Sequence, residues 1–245
     1  MKAVNKEKLL NFATSEEDRL FVRKLMDKAN RSSRGYLAYT HFIDPHQRYI
    51  ARKVLQELGI KYVFDGGYHE AERVIVLFPP DYLTGSSESE TLEYLRNDAA
   101  YPVSLIEISY RKNQFSKDLS HRDFLGALMN LGIKRETLGD ILVHHDYAQV
   151  ILLSDIGAFI ENNLNQVGRL DVDVKTVPLT NLNVPEMKTT IKTSTVASLR
   201  LDAIVAEGFD ISRSAAAEYI KSGKVYLQYE ECSNGSRTVD EGQTI

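Results

Sequence analysis

The sequence predicts an α+β protein of three small modules in series: an N-terminal α/β segment, a β-α-β-β-α-β middle segment, and a C-terminal module of two short helices followed by a strand. Three observations lead there. The chain has 245 residues, about 1.6 times a typical domain of roughly 150, which allows one large or two to three small domains. Its composition, 43% hydrophobic and 26% charged, is ordinary globular usage and excludes a disordered or fibrous chain. The order of hydrophobic patterns from residue 102 to 178 then completes a recognisable arrangement of strands and helices. No apolar run approaches the ~20 residues needed to span a bilayer, and residues 1–7 lead into no signal-peptide core, so no membrane insertion is expected. The single cysteine, Cys232, excludes an intramolecular disulfide and a multi-cysteine metal cluster, as in a soluble chain made for a reducing compartment.

The N-terminal module is placed at 1–85. Net charge is −4, yet residues 1–40 carry nine Lys/Arg against five Asp/Glu. A chain so balanced is not a globally basic nucleic-acid binder, and any such contact must come from local patches. The basic excess falls on a helix predicted over 15–33, where Ser15 stands three before Asp18 in a capping-box-like start. Leu20, Leu25 and Ala29, with Phe21 or Val22, form its buried face, leaving Arg19, Arg23, Lys24, Lys28, Arg31 and Arg34 outside. Those cations read either as a solvated face, partly neutralised by Glu16, Glu17 and Asp27, or as phosphate contacts. Asp44, Pro45 and Gln47 form a second helix start, carrying Ile50, Val54, Leu55 and Leu58 inward to a stop at Gly59. Strands follow at 61–64 and 73–78 with Asp65-Gly66-Gly67 as turn material, and 83–90 reads as a connector.

The middle module is placed at 102–178. Residues 103–110 alternate as a strand. Ser120 caps a helix containing Phe124, Leu125, Leu128, Met129 and Leu131, which Gly132 ends. Strands at 140–144 and 148–153 flank His145-Asp146-Tyr147, Ser154 caps a helix through Ile156, Phe159, Ile160 and Leu164, and 170–177 alternates again. This order is the split βαβ arrangement of ferredoxin-like folds and RNA-recognition modules. The RNA-recognition version needs aromatic platforms on its central strands. Here the third strand has none within it and only Tyr147 at its start, so base stacking by this sheet is not expected. The loop Tyr110-Arg111-Lys112-Asn113-Gln114-Phe115-Ser116-Lys117 sets three cations beside two aromatics. It reads equally as a grip on a phosphate backbone and as a solvated loop.

Residues 178–185 read as a turn-rich linker, and the third module is placed at 186–245. Its helices run over 198–207, ended by Gly208, and from Ser212 through Lys221, ended at Gly223; a strand follows at 224–227. Arg200-Leu201-Asp202 heads the first helix and Ser212-Arg213-Ser214-Ala215-Ala216 the second, with Ile220, Gly223-Lys224-Val225, Val239, Gly242 and Ile245 beyond. Arg213, Ala217 and Lys221 recur every four residues on one helical face, with Lys224 just past it. Alanine in the middle leaves the stripe open to a phosphate strand. Ser212 and Ser214 add hydroxyls and the helix start adds free N–H groups, while Arg200 offers a forked donor. Glu207, Asp210 and Glu218 lie among these cations.

With these spacings the module resembles the RNA-binding, αL-motif module of small-subunit ribosomal protein S-four, except that Gln228-Tyr229 replaces the usual Asn-Gly turn. The middle segment adds Ser109-Tyr110-Arg111-Lys112, then Ser120-His121-Arg122-Asp123-Phe124-Leu125-Gly126-Ala127-Leu128, then Leu131-Gly132-Ile133-Lys134-Arg135-Glu136 and Gly139-Asp140-Ile141. Together these resemble the YlmH family of bacterial cytoplasmic proteins over essentially the whole chain. The resemblance implies binding to ribosomal RNA on the large subunit, association with quality control of obstructed nascent chains and so with peptidyl-tRNA, and a link to division proteins. Lys134 and Arg135, exposed at a turn, are further basic residues near a helix end.

No enzyme is expected. Gly168-Arg169-Leu170-Asp171 resembles the catalytic-aspartate tetrapeptide of pseudouridine synthases, but lacks the Thr-x-Gly-Leu continuation and sits on a strand with its aspartates outward. An rRNA-modifying enzyme with Asp171 as nucleophile and a division-associated protein adaptor are the alternatives. His144 and His145 face opposite sides of a strand, no cluster has metal-ligand spacing, and no phosphate-binding glycine loop is present. No cofactor is therefore expected. Cys232 reads as a core or edge-strand thiol. The family pattern continues past 239–245 with a further strand, so the third module is expected to lack a short basic segment at its end.

Overall fold

The computed structural model describes residues 9–10, 12–13, 15–32, 37–83, 85–111, 118–186 and 190–245. They form two compact units, Met1–Glu186 and Met187–Ile245.

In the first unit, α1 (Glu16–Ser32) opens with the reciprocal cap expected of it: the Ser15 hydroxyl accepts from the Asp18 N–H at 3.0 Å, and the Asp18 carboxylate accepts from the Ser15 N–H at 3.1 Å. Val22, Leu25 and Ala29 are buried, but Leu20 is 51% exposed. The buried stripe runs through positions 18, 22, 25 and 29, which turns residue 20 to the opposite side. Buried Asp18 lies at the head of that stripe, its carboxylate 3.0 Å from His46 Nε2. Helix α2 (Pro45–Leu58) has its full capping box, with Asp44 Oδ1 accepting from the Gln47 N–H at 2.8 Å, and ends at Gly59 with φ +63°.

Strands β1 (Ala38–Tyr39), β2 (Val63–Asp65) and β3 (Ile75–Phe78) form an antiparallel sheet of order β1-β3-β2. Asp65, read from the sequence as turn material, ends β2 and is buried. It pairs with Arg96 at 2.6 Å and accepts the Tyr101 hydroxyl. Arg96 stands on α3 (Glu88–Arg96), a helix in part of the segment read as a connector. Ser87 and Glu90 form its capping box, and only Thr91 and Leu95 are buried, an apolar stripe too thin to mark a helix by periodicity.

The middle elements are β4 (Val103–Tyr110), α4 (His121–Asn130), β5 (Leu138–Val143), β6 (Tyr147–Leu153), α5 (Ser154–Asn163), β7 (Gln166–Val167) and β8 (Leu170–Val177). The sheet order is β5-β6-β4-β8-β7, antiparallel throughout. The first strand thus lies between the third and the last, the split arrangement, with β7 added as a hairpin to the edge. Ser154 is the first helical residue and Leu153 the cap. Met129 and Phe159 are exposed, off the buried faces of their helices.

The two sheets pack face to face. Val76 and Phe78 of β3 point toward α1 and α2, whereas Ile75 and Leu77, with Val63, pack against Val103, Leu105, Ile151 and Leu153 of β4 and β6. Ile106, Ile108, Val150 and Leu152 face α4 and α5. The result is a four-layer stack, helices-sheet-sheet-helices, so the first two predicted modules share a core inside one unit. The loop between β2 and β3 adds polar ties. The Asp140 carboxylate of β5 accepts from the Tyr68 hydroxyl at 2.8 Å and from the Glu72 and Arg73 N–H groups at 2.8 and 3.0 Å. Gly66 leaves no room there for a side chain: a Cβ would lie 2.4 Å from both Ala71 Cβ and the Arg73 carbonyl oxygen.

Part of the predicted 178–185 linker is anchored on the same unit. Leu179 and Leu182 join the inter-sheet core, and the Gln149 amide is held by Asn181 and Asn183 at 3.0 and 2.8 Å.

In the second unit, α6 (Leu201–Gly208) and α7 (Arg213–Lys221) precede a hairpin of β9 (Tyr226–Leu227) and β10 (Glu230–Glu231). Helix α6 begins three residues later than predicted, because Arg200 is its N-cap and bridges Thr238. Gln228 and Tyr229 have φ +53° and +66°, which makes the connection a type I′ turn, the conformation that Asn-Gly favours. Cys232 is buried in a core with Leu201, Val205, Ala216, Ile220, Leu227 and Val239. The Gln228 N–H donates to the Thr244 carbonyl at 2.8 Å.

Candidate nucleic-acid interface

Helix α7 is capped by the Ser212 hydroxyl, which accepts from the Ala215 N–H at 3.1 Å and lies 3.0 Å from the Ser214 hydroxyl. Helical spacing puts Arg213, Ala217 and Lys221 along one side, and all three are exposed. Lys224 follows, its ammonium 5.5 Å from the centroid of the Tyr219 ring. Arg200 joins from the start of α6 through an unforeseen intermediary, the buried Asp202. Arg200 donates to both its carboxylate oxygens, from Nε at 3.2 Å and Nη2 at 2.7 Å, and Arg213 Nη2 donates at 2.9 Å. The hydrogen bonds from Arg200, and then the one from Arg213, hold the carboxyl down at about 2. Two guanidinium groups are therefore fixed around one anion, each with N–H groups left over for an outside acceptor. Arg-x-Asp at the head of a helix was visible in the sequence; the return of Arg213 from eleven residues on was not.

Two of the three interspersed carboxylates are already engaged. Lys192 pairs with Asp210, and the Ser194 hydroxyl donates to Glu207 at 2.6 Å.

In the middle segment the sheet face that stacks bases in RNA-recognition folds is occupied. Leu105, Ile151 and Leu153 face the N-terminal sheet, Gln149 is held by residues 181–183, and Tyr147 stacks on His144 at 4.3 Å. Arg111 is exposed at the end of β4, and Lys112 lies outside the described residues, as does the loop to Lys117. Tyr110, one of that loop's two aromatics, is buried in the core instead, because its position on β4 faces α4. Arg135, predicted exposed, is half-buried. It donates to the Leu138 and Gly139 carbonyls at 3.0 and 3.2 Å, and burial lowers its pKa, with Arg73 adding to the effect. Lys134 is exposed. Asp171 is exposed on β8 in register with Gln166 of β7.

Three family models match in succession: YlmH, N-terminal, at residues 17–83; the RNA-binding domain in YlmH at 97–181; and the S4 domain at 199–245. A solved structure, cell division protein ylmH from Streptococcus pneumoniae, is 31% identical with a TM-score of 0.51, over 68% of this chain and 94% of that one. The chain belongs to the YlmH family. Another YlmH-like relative, ribosome-associated protein quality control protein P2 of Bacillus subtilis (strain 168), is 29% identical over 231 residues, 94% of this chain and 85% of the relative. The α7 face and the Arg200–Asp202–Arg213 cluster lie in the S4 domain of this YlmH-family chain, and the covered sheet lies in its RNA-binding domain. Among the described residues no helix is long and apolar enough to cross a membrane.

Proposed function

We propose that this YlmH-family chain is a non-enzymatic, cytoplasmic factor that binds ribosomal RNA on the large ribosomal subunit and acts in ribosome-associated quality control, where a stalled peptidyl-tRNA is at hand. Arg200, Arg213, Lys221 and Lys224 supply phosphate contacts, the Ser212 and Ser214 hydroxyls add donors, and Arg111 and Lys112 serve as auxiliary cations. The carrying observation is the open Arg213–Ala217–Lys221 face, with Asp202 fixing the guanidinium of Arg213 at its head. The name of the Bacillus subtilis relative supports the assignment to quality control. Sedimentation with separated ribosomal subunits, with and without ribonuclease, tests it. The full chain is expected in the large-subunit fraction and is released by ribonuclease; migration with neither subunit overturns the reading.

The name of the Streptococcus pneumoniae protein favours a second role, as an adaptor to division proteins. Persistence of a cellular partner complex after ribonuclease would select it. Asp171→Asn is expected to leave RNA binding and isomerised uridine in rRNA unchanged, because the side chain points to solvent from a strand; loss of isomerised uridine would establish catalysis.

A further inference from the structure

The basic helix at the start of the chain borders a cleft that the reading above does not use. Helix α1, the segment from Thr40 to Ile43 and Glu136 enclose about 410 Å3, within the roughly 300–1,000 Å3 of small-ligand sites. Its lining includes the apolar side chains of Leu20, Phe21 and Phe42. Lys24, Lys28 and Arg31, at helical spacing along one side of α1, form one wall. The described residues provide none of these three with a carboxylate partner within salt-bridge distance. Lys28 lies 5.6 Å from the Tyr39 ring centroid, and burial lowers its pKa, with Arg31 adding to the effect, a pressure that a bound anion relieves. Glu17 and Asp27 lie among these cations on α1 itself, and the opposite side brings Glu136, paired with His41 at 3.1 Å.

The exposure of Leu20 gives this arrangement its sense, since a leucine turned away from the helix's buried stripe lies beside the cations instead. Apolar side chains set beside cations, with a carboxylate across the cleft, match a nucleotide: phosphate on the lysines and arginine, base face on Leu20 and Phe21, and the base's N–H donors toward Glu136. An acidic peptide would satisfy the cations but meet the carboxylates unfavourably. We infer that the cleft between α1 and residues 40–43 binds one nucleotide of a single-stranded RNA segment, as a second RNA contact separate from the S4 domain. This rests on the RNA-binding reading above and adds a site to it.

The test is photo-crosslinking of the full chain to single-stranded RNA carrying 4-thiouridine, with the crosslinked peptides mapped. Crosslinks are expected within both 17–43 and 199–245. Lys24→Gln/Arg31→Gln changes two exposed residues and should remove the first set, with a salt dependence of log affinity shallower by about 0.7, the value for one phosphate on a single strand; adding Lys28→Gln should take the slope no further. Circular dichroism checks that the helix persists. Arg213→Ala/Lys221→Ala should diminish the second set and spare the first. Crosslinks confined to 199–245 overturn the cleft and leave the ribosomal reading standing, whereas no crosslink anywhere overturns both. Ribosomal protein in place of RNA at 17–43, when intact ribosomes are used, also overturns the cleft.

Discussion

Asp202 does for the S4 domain what a bound anion would do, holding two arginines in place. Its carboxyl is pulled from the ordinary 3.8 to about 2, so its ionised form stabilises the fold in full above about 3.8, and that contribution is lost as pH falls through about 2. Asp202→Asn is therefore expected to lower the melting temperature of the second unit at neutral pH by a few degrees, and the two proteins should converge as pH approaches 2. Thermal melts across that acid window check the sign. Asp44→Ala should cost about 1 kcal/mol in urea denaturation, the usual value of a lost helix cap. Caps are short-range and were legible: Ser15, Asp44, Ser120 and Ser212 all stand at the helix starts where their neighbours predict them. The ion pairs of Asp65 with Arg96 and of Asp202 with Arg213 join residues 31 and 11 positions apart, and no local pattern announces them.

Helix α7 is the element on which the proposed binding depends. Arg213→Ala and Lys221→Ala should each make the slope of log affinity against log salt shallower by about 0.7–0.9. Ala217→Glu should weaken binding more than either, because it puts a carboxylate into the open middle of the stripe; filter binding at several salt concentrations reads both. The hairpin beside it carries strain, with Gln228 and Tyr229 both left-handed, at a cost of roughly 1–2 kcal/mol per non-glycine residue. Tyr229→Gly is expected to stabilise the second unit by about 1 kcal/mol. The position of this turn was legible in the sequence, and its type was not, since neither residue advertises a positive φ. Helix α3 was missed for a different reason. Most of its residues are polar, and of its two buried side chains Thr91 donates to the Ser87 carbonyl while Leu95 alone joins an apolar core, with partners distant in sequence.

At the scale of the whole first unit, the inter-sheet core is the feature that sequence patterns conceal. Alternation in β4 and β6 shows that both faces are apolar over part of their length, but not what covers the second face. The covering surface comes from Val63, Ile75 and Leu77, about thirty to ninety residues earlier in the chain. Leu77→Ala should cost roughly 2–5 kcal/mol by leaving a cavity between the sheets. It should destabilise the N-terminal and middle segments in one cooperative transition, followed by calorimetry of the full chain. A variant that melts the N-terminal segment and leaves the β4–β8 sheet intact would contradict the shared core.

That shared core changes how deletions in the gene can be interpreted. Removing residues 1–85 strips the cover from Val103, Leu105, Ile151 and Leu153, so the remaining protein presents a greasy sheet to proteases and chaperones. A null phenotype from such an allele would report low abundance and not the loss of a separable activity. Point changes at Lys24, Lys28 and Arg31 leave that core untouched, and they are the alleles from which the role of the first eighty-five residues can be learned.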